Sequence, residues 1–380
     1  MRRLSALVLA LAVACTPEPA ATSSPSAPSA APASPSVAAR PTPVLPAGFN
    51  TLAGDRVDVY AAPEISSDDM ERVRSVADSV APALERQYET IFSHRPTIYL
   101  FANEDEYRTG LMTIWHFSSD AAATTAKIVE GSAMPNVTLA IDWALAKPHN
   151  QLFVIPHELT HLLIAEYDPG HLRVPAWLNE GLARLSELML DGMEWRAMEI
   201  RYMAASMATT GTLFPLAGLV DTNFRNNRDV SEVAAAYSEA AQAADFVRSD
   251  VGAGGIPKVL REIAGGASFK VAYLDVTGRI HDDFEATFAD RAAALAPRSG
   301  AVVSGDAPDG RGPFLIAYGF PVSSPFTITL AGAGRVWTAN GTTSVYGTTE
   351  SLLEVIPAGS YSVSVRSGGT VATTSARVSR

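Results

Sequence analysis

Residues 150–191 set the tightest limit on what this chain can fold into. Two runs with apolar residues at helical spacing, 150–167 and 176–191, are split by Asp168-Pro169-Gly170. That tripeptide is a strong turn signal. The spacing therefore predicts a helix, a tight turn, and a second helix returning beside the first. The first run contains VIPHELTHLL, with His157, Glu158 and His161. The second contains VPAWLNEGLARLSE, with eighteen residues between His161 and Glu180.

On a helix, residues at i and i+4 share one face, so His157 and His161 can both reach one metal ion. Glu158 projects about 100° around the helix, within reach of a water held by that ion. Zinc hydrolases need imidazole or carboxylate ligands, an open position for water and a nearby base. H-E-x-x-H supplies two ligands and the base. An ordinary helix that happens to carry two histidines is the competing reading of those five residues alone. Glu180 shifts the balance, because the turn brings it into the first turns of the returning helix, facing the histidines. Gly181 beside it permits close approach of a neighbouring helix. Pro156 leaves the helix start open: either it begins near Ile155, or it begins near Asn150 and kinks.

HELTH, the eighteen-residue gap and WLNEGLA closely resemble the gluzincin metallopeptidases. The W-L-N-E-G-[LF]-A phrase is close to that of the membrane-alanyl-aminopeptidase type. The layout over residues 55–293 is nearer to the bacterial peptidase MA-like proteins. The resemblance implies one zinc ion on His157, His161 and Glu180, with Glu158 as general base. It implies Tyr237, on a later helix, as a donor to the developing oxyanion, with Tyr167 a weaker candidate. Glu187, seven residues after Glu180, is either an orienting partner of a ligand histidine or a solvated helix carboxylate. Asn179 belongs to the family phrase and receives no role. VEGSAMPNVTLAID (129–142) is expected to supply an edge strand holding substrate backbone. Pro135 stands there where the aminopeptidases carry a glutamate, which argues against aminopeptidase specificity. Of the other histidines, His94, His116, His149, His171 and His281 show no ligand spacing with one another, and only His171 lies near the turn.

Around this centre, strands are expected at 56–62, 95–103 and 137–142. Ser67-Asp68-Asp69 is expected to cap a helix over DDMERVRSVADSVAPALERQYETIF, kinked at Pro82, and further helices are expected over EDEYRTGLMTIW, 195–208, 231–250, 256–264 and 282–296. Residues 117–136 are weakly patterned. After about residue 297, short β-type runs separated by glycine-rich turns suggest a sandwich of two sheets. The expected fold class is α+β: a gluzincin-like peptidase domain over 48–296, followed by a small C-terminal β-sandwich over 297–380.

The first fifteen residues, MRRLSALVLALAVAC, have the layout of a signal peptide. Cys15, the chain's one cysteine, stands where a bacterial lipobox places its lipidated residue. Residues 16–47 are nearly all Pro, Ala, Ser and Thr, a composition that stays extended and suits a tether. The expected location is extracytoplasmic, anchored to a bacterial membrane through Cys15 or secreted. No apolar run is long enough for a further transmembrane helix. A hydrophobic content of 47% supports real cores, and a net charge of −11 argues against a nucleic-acid partner. The expected partner is a peptide or protein substrate. A surface binding protein that keeps a peptidase fold without its chemistry is the alternative. Substrate sequence and oligomeric state are not legible.

Overall fold

The computed structural model describes residues 44–128, 130–134, 137–146, 152–169, 173–219, 230–296, 301–306, 313–332, 334–352, 356–357 and 359–378. The expected signal peptide, Cys15 and most of the tether lie outside these residues, as do Pro135, His149 and His171.

The N-terminal part opens with strands β1 (Asn50–Leu52) and β2 (Asp58–Ala61) and helix α1 (Ser67–Tyr88). The Ser66 hydroxyl caps α1 by accepting from the Asp69 amide, and the helix continues through Pro82. Next come β3 (Thr97–Phe101), α2 (Glu104–Thr113), α3 (Ser119–Ile128), β4 (Gly131–Met134), β5 (Thr138–Asp142) and a single turn, α4 (Trp143–Ala146). The five strands form one sheet in the order β1-β2-β3-β5-β4. β2, β3 and β5 run parallel, while β1 and β4 pair antiparallel at the two edges. β3 alternates its side chains between two cores: Ile98 and Leu100 join the main core, and Tyr99 and Phe101 join a cluster with Tyr107, Leu111, Ala122 and Ala126. The sheet is thus covered on both faces, as parallel strands require. Residues 117–136, weakly patterned in sequence, fold into α3 and β4. Their Ala, Thr and Ser content matches neither period, and burial against the sheet decides their state.

The helical part follows: α5 (Val154–Tyr167), α6 (Ala176–Ser186), α7 (Glu194–Thr210), α8 (Val230–Val251), α9 (Gly255–Ala264), α10 (Phe269–Thr277) and α11 (His281–Ala293). Helix α6 ends five residues earlier than expected, and Glu187–Met189 tighten into a 3₁₀ turn. Helix α10, absent from the sequence expectation, starts on the Ser268 cap. α5 is buried along its length from Val154 to Ile164, which suits a helix at the centre of a core. α6 packs closely on α8. A Cβ at Gly181 would sit 2.2 Å from the Ala240 carbonyl oxygen, so only glycine fits there.

Beyond the helices, β6 (Ala301–Asp306), β7 (Pro313–Tyr318) and β10 (Thr349–Leu352) form one antiparallel sheet in the order β10-β7-β6. A second contains β8 (Pro325–Gly332), β9 (Arg335–Thr342), β11 (Gly359–Ser367) and β12 (Thr370–Val378), in the order β12-β11-β8-β9. Leu315 and Ala317 of the first sheet share a core with Ile328, Leu330, Val363 and Val365 of the second. Strand alternation is explicit in β11, where buried Tyr361, Val363 and Val365 alternate with more exposed neighbours. Among the described residues no helix is long and apolar enough to cross a membrane.

Candidate metal centre

The Pro156 question resolves locally. Helix α5 starts at Val154 with Phe153 at its N-cap. Pro156 therefore lies in the first turn, where its missing N–H costs nothing. Its carbonyl accepts from the Thr160 and Ser186 hydroxyls, both at 2.8 Å. The second of these ties α5 to the end of α6.

His157 and His161 are buried on one face of α5, with ring centroids 4.9 Å apart. Glu180, in the second turn of α6, points its Oε2 between them. That oxygen stands 3.5 Å from His157 Nε2 and 3.4 Å from His161 Nε2. The other ring nitrogens face hydrogen-bond acceptors: His157 Nδ1 lies 2.8 Å from Glu187 Oε1, and His161 Nδ1 lies 3.0 Å from Asn179 Oδ1. These partners place a proton of each ring on Nδ1, so that Nε2 carries a lone pair whenever the imidazole is neutral. His157 Nε2, His161 Nε2 and Glu180 Oε2 are buried and have no hydrogen-bond partner.

Three convergent, buried, unsatisfied acceptors are expensive unless something cationic binds them. The three ligand atoms lie within 4.8 Å of one another and can hold a metal ion. Two atoms each about 2.0–2.1 Å from a tetrahedral ion stand roughly 3.3–3.4 Å apart, which matches the spacing here. Two imidazoles and one carboxylate are a donor set suited to zinc with a fourth position left open.

Glu158 is fully buried, and neither carboxylate oxygen has a hydrogen-bond partner. Burial raises its pKa to about 7 despite the two histidines nearby. The backbone of Ala133, in edge strand β4, lies close enough to favour its ionised form. Burial also opposes ionisation of Glu180, yet the adjacent histidines hold it down at about 2. Burial works against an imidazolium at His157, and Glu180 and Glu187 outweigh it, raising the pKa to about 9 without an ion.

Tyr237, on α8, is buried with its ring centroid 6.3 Å from that of His157. The α6–α8 contact therefore delivers it to the site's edge. Tyr167 does not reach the site, since its hydroxyl donates to the Tyr88 carbonyl at 2.5 Å, at the end of α1. Glu187 is not a solvated helix carboxylate: it is fully buried and bonded to His157 Nδ1, as an orienting partner would be. Asn179, given no role from sequence, does the same for His161. Its position next to Glu180 was the available signal. Sequence reasoning passed over Arg184, Arg196 and Glu199. Arg184 lies 3.2 Å from Glu187 Oε1, and Arg196 Nε lies 3.2 Å from Glu187 Oε2. The i, i+4 and i+3 spacing of Glu180, Arg184 and Glu187 was a readable hint for the first. A second group with metal-type donors, His281, Asp282 and Glu285, sits at the start of α11. There Asp282 is largely exposed and already paired with Lys270 at 2.8 Å.

No family model matches the chain, and no curated protein matches it. One similar solved structure is that of yeast LTA4 hydrolase in complex with Bestatin, at 13% identity and a TM-score of 0.35. The match covers 63% of this chain and 37% of that one.

Proposed function

We propose that the chain is a zinc metallopeptidase of the gluzincin type, hydrolysing peptide bonds with His157, His161 and Glu180 as metal ligands. The observation that carries this reading is the convergence of three unpartnered, buried ligand atoms beside an equally unpartnered Glu158. Zinc, when bound, supplies a Lewis acid that polarises a carbonyl and makes water a nucleophile near neutral pH. The protein's own residues do the rest. Glu187 and Asn179 hold the two imidazoles in the tautomer that points Nε2 inward. Glu158 takes the proton of the attacking water on its carboxylate and returns it to the nitrogen of the leaving amine. A pKa raised by burial to about 7 suits both halves of that cycle. Tyr237 donates to the oxygen on which negative charge develops. Strand β4, an edge strand with α5 packed against it, offers backbone groups to an extended substrate.

In this reading residues 48–296 are the peptidase domain and 297–380 a β-sandwich. Lipidation at Cys15 and the segment 16–47, rich in Pro, Ala, Ser and Thr, hold both outside a bacterial membrane. Metal analysis of purified protein, followed by digestion of a broad peptide library with and without chelator, tests the catalytic reading. Chelator-sensitive cleavage that Glu158→Gln abolishes is expected. Protein that binds zinc but cleaves nothing belongs to the alternative class, a binding protein on a peptidase scaffold. Protein that binds no zinc overturns the metal assignment. Release from membranes by Cys15→Ser tests the anchor, and unchanged membrane association overturns it.

A further inference from the structure

Helix α7 runs from the buried arginines of the metal centre to the C-terminal sheets. In its first turns, Arg196 forms an ion pair with Glu187 through Nε at 3.2 Å, without hydrogen-bond geometry, and donates a hydrogen bond to Glu199 through Nη1 at 2.6 Å. Arg184 Nη2 lies 3.6 Å from the same Glu199 oxygen. All four residues are at least nine-tenths buried. The Arg196 guanidinium also stacks 4.7 Å over Phe153, the N-cap residue of α5, and 4.3 Å over Trp195. Further along, Met203 and Met207 pack with Tyr318 of β7 and Tyr346 of the turn between β9 and β10. Ser206 donates its hydroxyl to the Tyr346 carbonyl. Gly347 takes a left-handed backbone (φ 68°), and a Cβ there would meet the Phe320 carbonyl at 2.4 Å and Ser206 Oγ at 3.3 Å. The left-handed backbone and the close Phe320 carbonyl keep glycine in that turn, with Ser206 of α7 the next nearest atom, so a larger residue there disturbs the turn that faces α7.

We propose that the C-terminal β unit is a buttress of the metal centre, and that Arg196 is the positioning residue through which it acts. The chain of contacts is continuous: Tyr318 and Tyr346 seat α7, α7 presents Arg196 and Glu199, Arg196 adds an ion pair to the two hydrogen bonds that Arg184 Nη1 makes to Glu187, and Glu187 orients His157. The inference rests on the reading that His157 holds the metal.

The electrostatics explain why the clamp needs a fixed helix. Two guanidiniums and two carboxylates sum to zero charge, and buried charges are tolerable only while each keeps its partners. Arg184 belongs to the same local segment as Glu187 and cannot by itself relate that segment to anything else. Arg196 comes from a separate helix, so its grip on Glu187 is as good as the placement of α7. A carboxylate with both oxygens engaged cannot rotate, and a histidine bonded to it keeps its ring plane. Partners of this kind are worth about 10–100-fold in metal affinity.

The test compares full-length wild type with Arg196→Met, Arg196→Lys, Gly347→Val and Leu111→Ala. Leu111 is fully buried in the cluster on the opposite side of the sheet, so its variant controls for general loss of stability. Two quantities are read: the zinc dissociation constant by chelator competition, and solvent exchange of the His157 imidazole N–H in metal-free, 15N-histidine-labelled protein. His157→Gln assigns that signal. Arg196→Met is expected to weaken zinc about 10–100-fold and to speed exchange. Gly347→Val should move both in the same direction, Arg196→Lys less so, and Leu111→Ala neither. Wild-type values in Arg196→Met and Gly347→Val overturn the proposal, as does an equal shift in Leu111→Ala. If Arg196→Met does not fold, Arg196→Lys decides, since it keeps the charge and loses the planar fork. If wild type binds no zinc, the metal assignment falls, and the N–H exchange still decides whether the β unit holds His157.

Discussion

His157 Nδ1 lies 2.8 Å from Glu187 Oε1, and neither side chain is accessible to solvent. This bond points the other ring nitrogen at Glu180. Glu187→Gln keeps an acceptor but leaves Arg184 and Arg196 short of one negative charge. It should cost roughly 3 kcal/mol or more of stability and about 10-fold or more in zinc affinity. Thermal melts and chelator competition measure the two, and unchanged values in both exclude the orienting role.

Glu158→Gln removes the proton carrier while leaving the three ligand atoms untouched. Peptide cleavage should fall by about 10²–10⁴-fold, with zinc content near that of wild type. Activity retained alongside full zinc content assigns the proton transfers to another group.

Tyr237→Phe keeps the ring beside His157 and deletes the hydroxyl. A group that acts only as charge develops is lost from kcat and leaves KM in place. The expected drop in kcat is about 10²-fold. A change confined to KM would make Tyr237 a ground-state substrate contact.

Glu130 immediately precedes β4, fully buried, with both carboxylate oxygens lacking a partner. Burial raises its pKa from 4.5 to about 9, with Asp142 adding to the effect. Between these values the folded chain holds a proton that the unfolded chain releases. Its contribution is therefore present below pH 4.5 and is lost as pH rises through about 9. Glu130→Gln, neutral in both states, should match wild type near pH 5 and melt at a higher temperature by pH 8. Melting curves of the two proteins over that range check the sign, and parallel pH profiles contradict it.

Gly181→Val puts side-chain atoms where the Ala240 carbonyl already stands. Separating α6 from α8 should cost about 1–3 kcal/mol. The strain falls on the residue next to Glu180, so zinc affinity should drop with stability. Ordinary zinc affinity at a lowered melting temperature would mean that α6 accommodates the change without moving its ligand.

Much of the site was legible because its information is local. The i, i+4 pair of His157 and His161, the Asp168-Pro169-Gly170 break and the return to Glu180 all follow from helix period and turn chemistry. The partners of the ligands were harder to read. Asn179 lies on the helix that carries Glu180 and Glu187 in the 3₁₀ turn directly after it, yet their use depends on how α6 rolls against α5. Arg196 and Glu199 carry no motif, and ordinary surface residues on a helix look the same in sequence. Helix α3 and strand β4 were obscured for a related reason, since small and weakly polar residues adopt whichever state burial rewards.

By itself, the sequence determined much of the order of elements, though not β1, α3, β4 or α10, together with the helix–turn–helix that carries His157, Glu158, His161 and Glu180 and the change to β structure after residue 297. These depend on periodicity and on residues that stop or bend the backbone, which act over a few positions. Only the tertiary structure decided that His157 Nε2, His161 Nε2 and Glu180 Oε2 converge without hydrogen-bond partners, that Tyr237 lies beside His157, and that helix α7 pairs Arg196 with Glu187 near one end and packs on Tyr318 and Tyr346 further along. Those relationships join residues tens of positions apart. They come from helix packing and from the need to pair every buried charge.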